Sequence, residues 1–157
     1  MRLQASTGGT LDFDYKLLSH SYMIDFTIQA NGLGNIFAPS MKNLDIAWNE
    51  MARQQEKGFD FESRYSSLTY KIKNEGTDYL SETSAESEKI AEPLDWVAFK
   101  NQFFSCVLIA HQDFTEAHLS STPQQKASGY LKDYEADMKT FFDPSGKTPT
   151  QMPVSYT

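Results

Sequence analysis

The sequence predicts a mainly β protein, a large antiparallel β-sandwich with room for one short helix. Three observations predict it. Residues 11–28 alternate apolar and polar side chains in two successive runs with a period of two. Trp96 to Asp113, WVAFKNQFFSCVLIAHQD, sets two apolar strand candidates almost back to back. The second, an apolar run from Phe103 to Ala110, suits a strand buried on both faces of a large sheet. Turn signals then punctuate the whole chain at intervals that suit strands.

The elements follow in order. Leu11, Phe13, Tyr15 and Leu17 alternate with Asp12, Asp14 and Lys16, and Tyr22, Ile24, Phe26 and Ile28 alternate with Asp25, Thr27 and Gln29. The link Leu18 to Ser21 is short enough for a hairpin, so these two strands should cover one side of a core. Asn31-Gly32-Leu33-Gly34-Asn35 breaks the pattern as a turn or bulge, where glycine permits positive φ. Leu44, Ile46 and Trp48 resume the alternation, and Glu56-Lys57-Gly58 marks a turn ahead of Phe59 and Phe61. Leu68, Tyr70 and Ile72 read as a strand with Thr69, Lys71 and Lys73 in water. Asn74-Glu75-Gly76 closes it, and Tyr79-Leu80 begins a short return.

Ser81 to Glu92 is polar, acidic and poor in aromatics, and reads as a solvated loop or a single helical turn anchored by Ile90. After Pro93, Leu94 to Lys100 reads as a strand, and Phe114 to Ser120 as another, ended by Ser121-Thr122-Pro123. Tyr130 to Phe142 fits both periods: Leu131, Tyr134 and Met138 suit a helix, while Ala136, Met138 and Thr140 suit a strand. Asp143 to Lys147 is a turn, and Met152 to Thr157 begins a strand whose open edge would invite pairing with a neighbour.

At 157 residues the chain fits one domain. Its net charge of -7 and fourteen scattered Lys and Arg argue against a nucleic-acid-binding face. An acidic surface also repels anionic lipid head groups, so membrane contact is expected only through segments outside this chain. The first residues lack the apolar core of a signal peptide, and no run of about 18 apolar residues exists that would span a bilayer. The one cysteine, Cys106, lies in the apolar run and reads as a small buried hydrophobe.

No catalytic motif stands out. His111 and His118 flank Asp113 and Glu116, but H-x6-H with loose carboxylates is not a zinc spacing. A strand over residues 114–120 would put Glu116 and His118 on one face, two ligands at most. Ser105 with His111 and Asp113 lacks a nucleophile elbow. The carboxylate pairs Asp12 with Asp14 and Asp60 with Glu62 are expected by chance among 21 acidic residues. Gly32 and Gly34 match neither the dinucleotide nor the P-loop pattern. Catalytic, cofactor-binding and metal-binding residues are therefore expected to be none.

The tryptophan-led segment WVAFKNQFFSCVLIAHQD resembles the strand pair of the periplasmic domain of the YidC membrane-protein insertase family, in its Bacteroidetes-like branch. QEKGFDFESRYSSLTYK and DYLS resemble the segment ahead of that pair, TLDFDYKLL and SYMIDFTIQANGL its earlier hairpin, and FFDPSGKTPTQM the approach to its next strand. The resemblance implies a β-supersandwich related in shape to galactose-mutarotase-like domains. It implies that residues 1–157 form one domain, the C-terminal part of a larger periplasmic domain on the periplasmic side of the bacterial inner membrane. The implied role is non-catalytic and needs no cofactor: chaperone-like help in membrane-protein insertion and transport, through contacts with secretion translocon subunits and nascent membrane proteins. Insertion itself is attributed to membrane-embedded helices that this chain does not contain. A carbohydrate-binding or mutarotase-like site on the same sandwich is the competing class, with His111, Glu116, Trp48 and Trp96 as its parts. A free-standing β-sandwich that binds a protein partner is a third.

Overall fold

The computed structural model describes residues 1–38 and 40–157. The strands are β1 (Arg2–Gln4), β2 (Thr10–Leu17), β3 (Met23–Asn31), β4 (Asn43–Arg53), β5 (Ser67–Ile72), β6 (Thr77–Tyr79), β7 (Glu86–Ile90), β8 (Leu94–Lys100), β9 (Ser105–Pro123), β10 (Tyr130–Phe141), β11 (Thr150–Gln151) and β12 (Val154–Tyr156). One α-helix, α1 (Phe59–Arg64), and a 3-10 turn at Lys126–Ser128 complete the described elements. The strand pairings are antiparallel throughout, and the fold is mainly β as the sequence predicts.

The architecture turns on β9, which is 19 residues long and belongs to two layers. Its first half pairs with β8 on one side and β12 on the other, inside the order β1-β2-β3-β12-β9-β8-β5-β6. Its second half pairs with β7 and β10, and β10 in turn pairs with β4. The two steps from Trp96 to Leu94 on β8 are matched by five from Ile109 to Phe114 on β9, a bulge at which Asp113 takes a φ of 61°. Bulges bend and twist a strand. This one folds the second layer over the first, and the Leu94 and Phe114 side chains meet there fully buried. The aromatic ring of Phe99 on β8 then lies between Trp48 on β4 and Tyr134 on β10.

Several sequence expectations need correction. Phe114 to Ser120 is not a separate strand, because its ladder continues that of the apolar run through the bulge. Within that run Phe103 and Phe104 are exposed, and burial alternates from Cys106 to Ala110 instead of covering both faces. Ser81 to Glu92 contains β7, a strand held by ladder bonds to β9 although its side chains are exposed up to Ile90. Tyr130 to Phe141 resolves as a strand: Tyr134, Ala136, Met138 and Thr140 are all buried and share the face turned to the core. The helix forms instead at Phe59–Arg64. There the buried Glu62 carboxylate accepts hydrogen bonds from the main-chain N–H groups of Gln55 and Glu56 at 2.9–3.2 Å. β12 is no open edge either, since it is paired with β3 on one side and β9 on the other.

The expected hairpin β2–β3 forms, with Phe13 opposite Ile28 and Leu17 opposite Ile24. Its apolar face is covered only at one end. Ile28 and Ala30 are buried, whereas Tyr15 and Leu17 reach beyond the core into solvent. Asp12, on the nominally polar face, is buried because Arg2 on β1 forks onto its carboxylate at 2.6 and 2.9 Å and Asn31 donates a third bond. The guanidinium holds that carboxyl below its usual range.

Candidate functional site

Among the described residues, three open grooves offer surfaces on which chemistry or binding could occur. The first, about 580 Å³, crosses the outer layer from β4 over β10 and β9 to β7. Ladder pairing aligns its rows: Asp45, Lys139 and Glu116 lie side by side, as do Ala47, Asp137, His118 and Lys89. Glu116 pairs with Lys139, which raises the lysine above its ordinary value. His118 Nε2 shares a 2.8 Å hydrogen bond with the Ser87 hydroxyl. The groove thus carries charges of both signs, with Glu116 and Lys139 paired to each other.

The second groove, about 430 Å³, lies over β2 and β3, with His111 beside Asp14, Lys16 and Asp25. His111 and Glu116 therefore open onto different grooves. Trp48 packs into the core against Phe99 at 4.0 Å, and Trp96 is half-buried opposite Ile109. The parts considered for a sugar site are not brought together.

The nucleophile and metal candidates are dispersed in the same way. The Ser105 hydroxyl bonds that of Thr157 at 2.7 Å, while Asp113 pairs with Lys73 at 2.6 Å. Asp60 is exposed and faces Lys126, but its neighbour Glu62 is internal. His20 sits at the tip of the β2–β3 hairpin with φ 62°. Among the described residues no three His, Cys, Asp or Glu side chains converge as a metal site would require.

The third groove, about 600 Å³, lies at one end of the sandwich between Tyr22, Met51, Phe104 and Tyr156. Cys106 is buried at its floor, where desolvation pushes the thiol up, and the Tyr156 hydroxyl beside it is pushed up to about 12. A thiol in that setting is not a nucleophile at neutral pH.

One feature escaped the sequence reading. Lys132 is completely buried, and its ammonium donates to the main-chain carbonyl of Glu82 at 2.6 Å. Tyr70 adds a second tie, its hydroxyl donating to Glu88 at 2.7 Å. Together they fasten Ser81–Glu92 across the open side of the sandwich. The signal was available: Lys132 shares the strand face of Tyr134, Ala136 and Met138.

Residues 1–154 match the YidC periplasmic domain family. The chain is 59% identical over 152 residues, 97% of its length, to the membrane protein insertase YidC of Phocaeicola vulgatus, of which the match covers 24%. It is 46% identical to that of Bacteroides fragilis, again over 97% of the chain and 25% of the relative. With the insertase of Parabacteroides distasonis it shares 38% over the same 97% of the chain and 24% of that protein. The chain spans about a quarter of the length of the curated relatives it matches. No described helix is long and apolar enough to cross a membrane. A match over nearly the whole chain, carried by a mainly β fold, makes this protein a member of the YidC periplasmic domain family.

Proposed function

We propose that this chain is a non-catalytic accessory domain on the periplasmic side of the bacterial inner membrane. There it assists the insertion and folding of membrane proteins through contacts with nascent chains and with secretion translocon subunits. It is one domain, the C-terminal part of a larger periplasmic unit. The observation that carries this reading is family membership across residues 1–154, with relatives that are membrane protein insertases about four times as long. The grooves support it in a weaker way. Their surfaces are open, and in the first of them Glu116 and His118 are held by cross-strand partners, which suits contact with a polypeptide better than enclosure of a small substrate.

Site-specific photo-crosslinking tests the reading. This chain replaces the matching segment of the Phocaeicola vulgatus insertase, with probes along Ser81–Glu92 and at His111 and Gln112, the polar end of the tryptophan strand pair. Crosslinks to a nascent membrane protein or to translocon subunits are the expected result. Silence at every probe, in a correctly localised protein, overturns it.

A further inference from the structure

We propose that Asn31-Gly32 is a site of spontaneous covalent modification, at which the Asn31 amide becomes an aspartyl or isoaspartyl carboxylate. The change loosens the corner where β1, β2 and β3 meet. It is independent of the accessory role, and it falls in the glycine-containing turn that follows β3.

Asparagine is a chemically labile residue. Its loss of ammonia needs an exposed amide, a next residue without a side chain, and a main-chain nitrogen free to react. All three meet here. Asn31 is the last residue of β3 and is exposed, as is Gly32. Among the described residues the Gly32 N–H finds no acceptor. The fold itself calls for glycine at this point, because Gly32 has φ 64°. It also packs tightly on Gly9, where a Cβ would lie 2.6 Å from the Gly32 carbonyl oxygen. The backbone thus excludes the side chain that would shield the nitrogen from its neighbour's amide. Asn35, Asn43, Asn49, Asn74 and Asn101 precede Ile, Leu, Glu, Glu and Gln, so the other asparagines carry that shield.

The Gly32 nitrogen, having lost its proton, attacks Cγ of Asn31. An N–Cγ bond forms and the Cγ–Nδ2 bond breaks, closing a succinimide. The amide nitrogen takes up a proton and leaves as ammonia. One water then opens the ring. Cleavage of the new N–Cγ bond leaves aspartate at position 31, and cleavage of the original peptide bond leaves isoaspartate, with the main chain running through Cγ. No oxidant or reductant takes part.

The consequence is set by what the amide holds. Asn31 Nδ2 donates to Asp12 Oδ2 at 3.1 Å, and the same oxygen accepts from Arg2 Nη2 at 2.9 Å, with Arg2 Nε on Oδ1 at 2.6 Å. Asp12 is buried. An oxygen in place of the amide nitrogen sets two carboxylates against each other with one guanidinium to share, an arrangement that disfavours the charged pair. The isoaspartyl form also lengthens the main chain at the Thr10–Asn31 pair, just ahead of the buried Leu33 that clusters with Ala30 and Phe142.

Peptide mapping of the folded 157-residue chain, incubated in heavy-oxygen water at mildly alkaline pH, tests the proposal. Asn31 is expected to exchange its amide nitrogen for one heavy oxygen, partly as isoaspartate that protein isoaspartate methyltransferase labels. The modified fraction rises with pH, and the other five asparagines stay intact. An intact Asn31 in the folded chain, while the same chain in urea is modified there, overturns the proposal. So does modification spread evenly over the asparagines. The variant Asn31→Asp reads the consequence: its thermal midpoint falls at neutral pH, and the fall shrinks in an Asp12→Asn background. Aged wild type loses midpoint in proportion to its modified fraction, which reads the same effect without a substitution. An unchanged midpoint in the aged chain, or an equal fall in both backgrounds, overturns the loosening of the corner.

Discussion

The ring of Phe99 lies 4.0 Å from that of Trp48, centroid to centroid and nearly parallel, and 5.1 Å from Tyr134 on the same layer as Trp48. These contacts clasp the two layers that β9 joins. The Tyr134 hydroxyl adds a 2.9 Å hydrogen bond to the Lys100 carbonyl across the same gap. Phe99 is buried and Trp48 only partly so. Phe99→Ala is therefore expected to cost about 3–5 kcal/mol in urea unfolding, and Trp48→Ala clearly less. Equal losses at the two positions would contradict the central place given to Phe99. Tyr134→Phe, which removes only the hydrogen bond, is expected to cost about 1 kcal/mol.

Gly146 closes the turn after β10 with φ 75°, and a Cβ there would overlap the main-chain carbonyl of Ala30. The Gln29 side-chain amide also donates to the Gly146 carbonyl at 2.7 Å, tying this turn to β3. Gly146→Ala combines strain with a backbone clash and is expected to lower stability by about 2 kcal/mol or more. Gly76→Ala, with open space around it, serves as the comparison and should change stability far less.

Lys132 makes the structure's clearest pH prediction. Burial holds its ammonium below the ordinary 10.5, so in the window from that lowered value up to 10.5 the unfolded chain binds more protons than the folded one. The contribution of this group to stability rises with pH across that window. Lys132→Met removes the rise, and the difference between wild type and variant should move in favour of the wild type as pH climbs toward 10.5. At neutral pH an apolar chain of similar length is expected to match or exceed the buried ammonium. Lys132→Ala leaves a cavity and should cost about 2–4 kcal/mol. Urea midpoints measured from pH 7 upward decide both points.

Asp143 gives a rise of stability with pH at the acid end as well. Its carboxylate accepts from the Ser145 hydroxyl and from the N–H groups of Ser145, Lys147 and Thr148. These bonds, the hydroxyl first, hold its pKa below 3.8. The stabilisation is complete above the unfolded value and is lost as pH falls through the depressed one. Asp143→Asn should therefore destabilise at neutral pH, and its deficit should shrink once the wild type protonates below pH 3.8. A deficit that stays constant to the lowest pH would contradict the assignment.

Strands with strict alternation were legible in the sequence because period two has no competing explanation there: β2, β3 and β5 follow it closely, whereas β8 was legible from its apolar run after Pro93. β10 was ambiguous because its apolar positions satisfy both periods, and only its enclosure between β4 and β9 decides. β7 left no trace, since an edge strand held by main-chain bonds needs no apolar face. α1 forms through a carboxylate that caps its neighbours' N–H groups, a tertiary feature of Glu62 without a sequence signature. At the surface, the resemblance carried by the tryptophan segment identified the family, while the exposure of Phe103 and Phe104 escaped notice. Phe103 and Phe104 read as core when the run is scored by hydrophobicity alone, and only the turn from Asn101 shows them pointing outward.

The accessory role is tested most directly by an insertion assay in proteoliposomes. It compares the Phocaeicola vulgatus insertase carrying this chain as a graft with the same protein lacking the segment, and with the isolated chain, using protease protection of a newly made membrane protein as readout. The account predicts that the protein lacking the segment still inserts substrate at reduced yield, that the graft restores the yield, and that the isolated chain inserts nothing. Complete loss without the segment, insertion by the isolated chain, or a yield indifferent to the graft would contradict it.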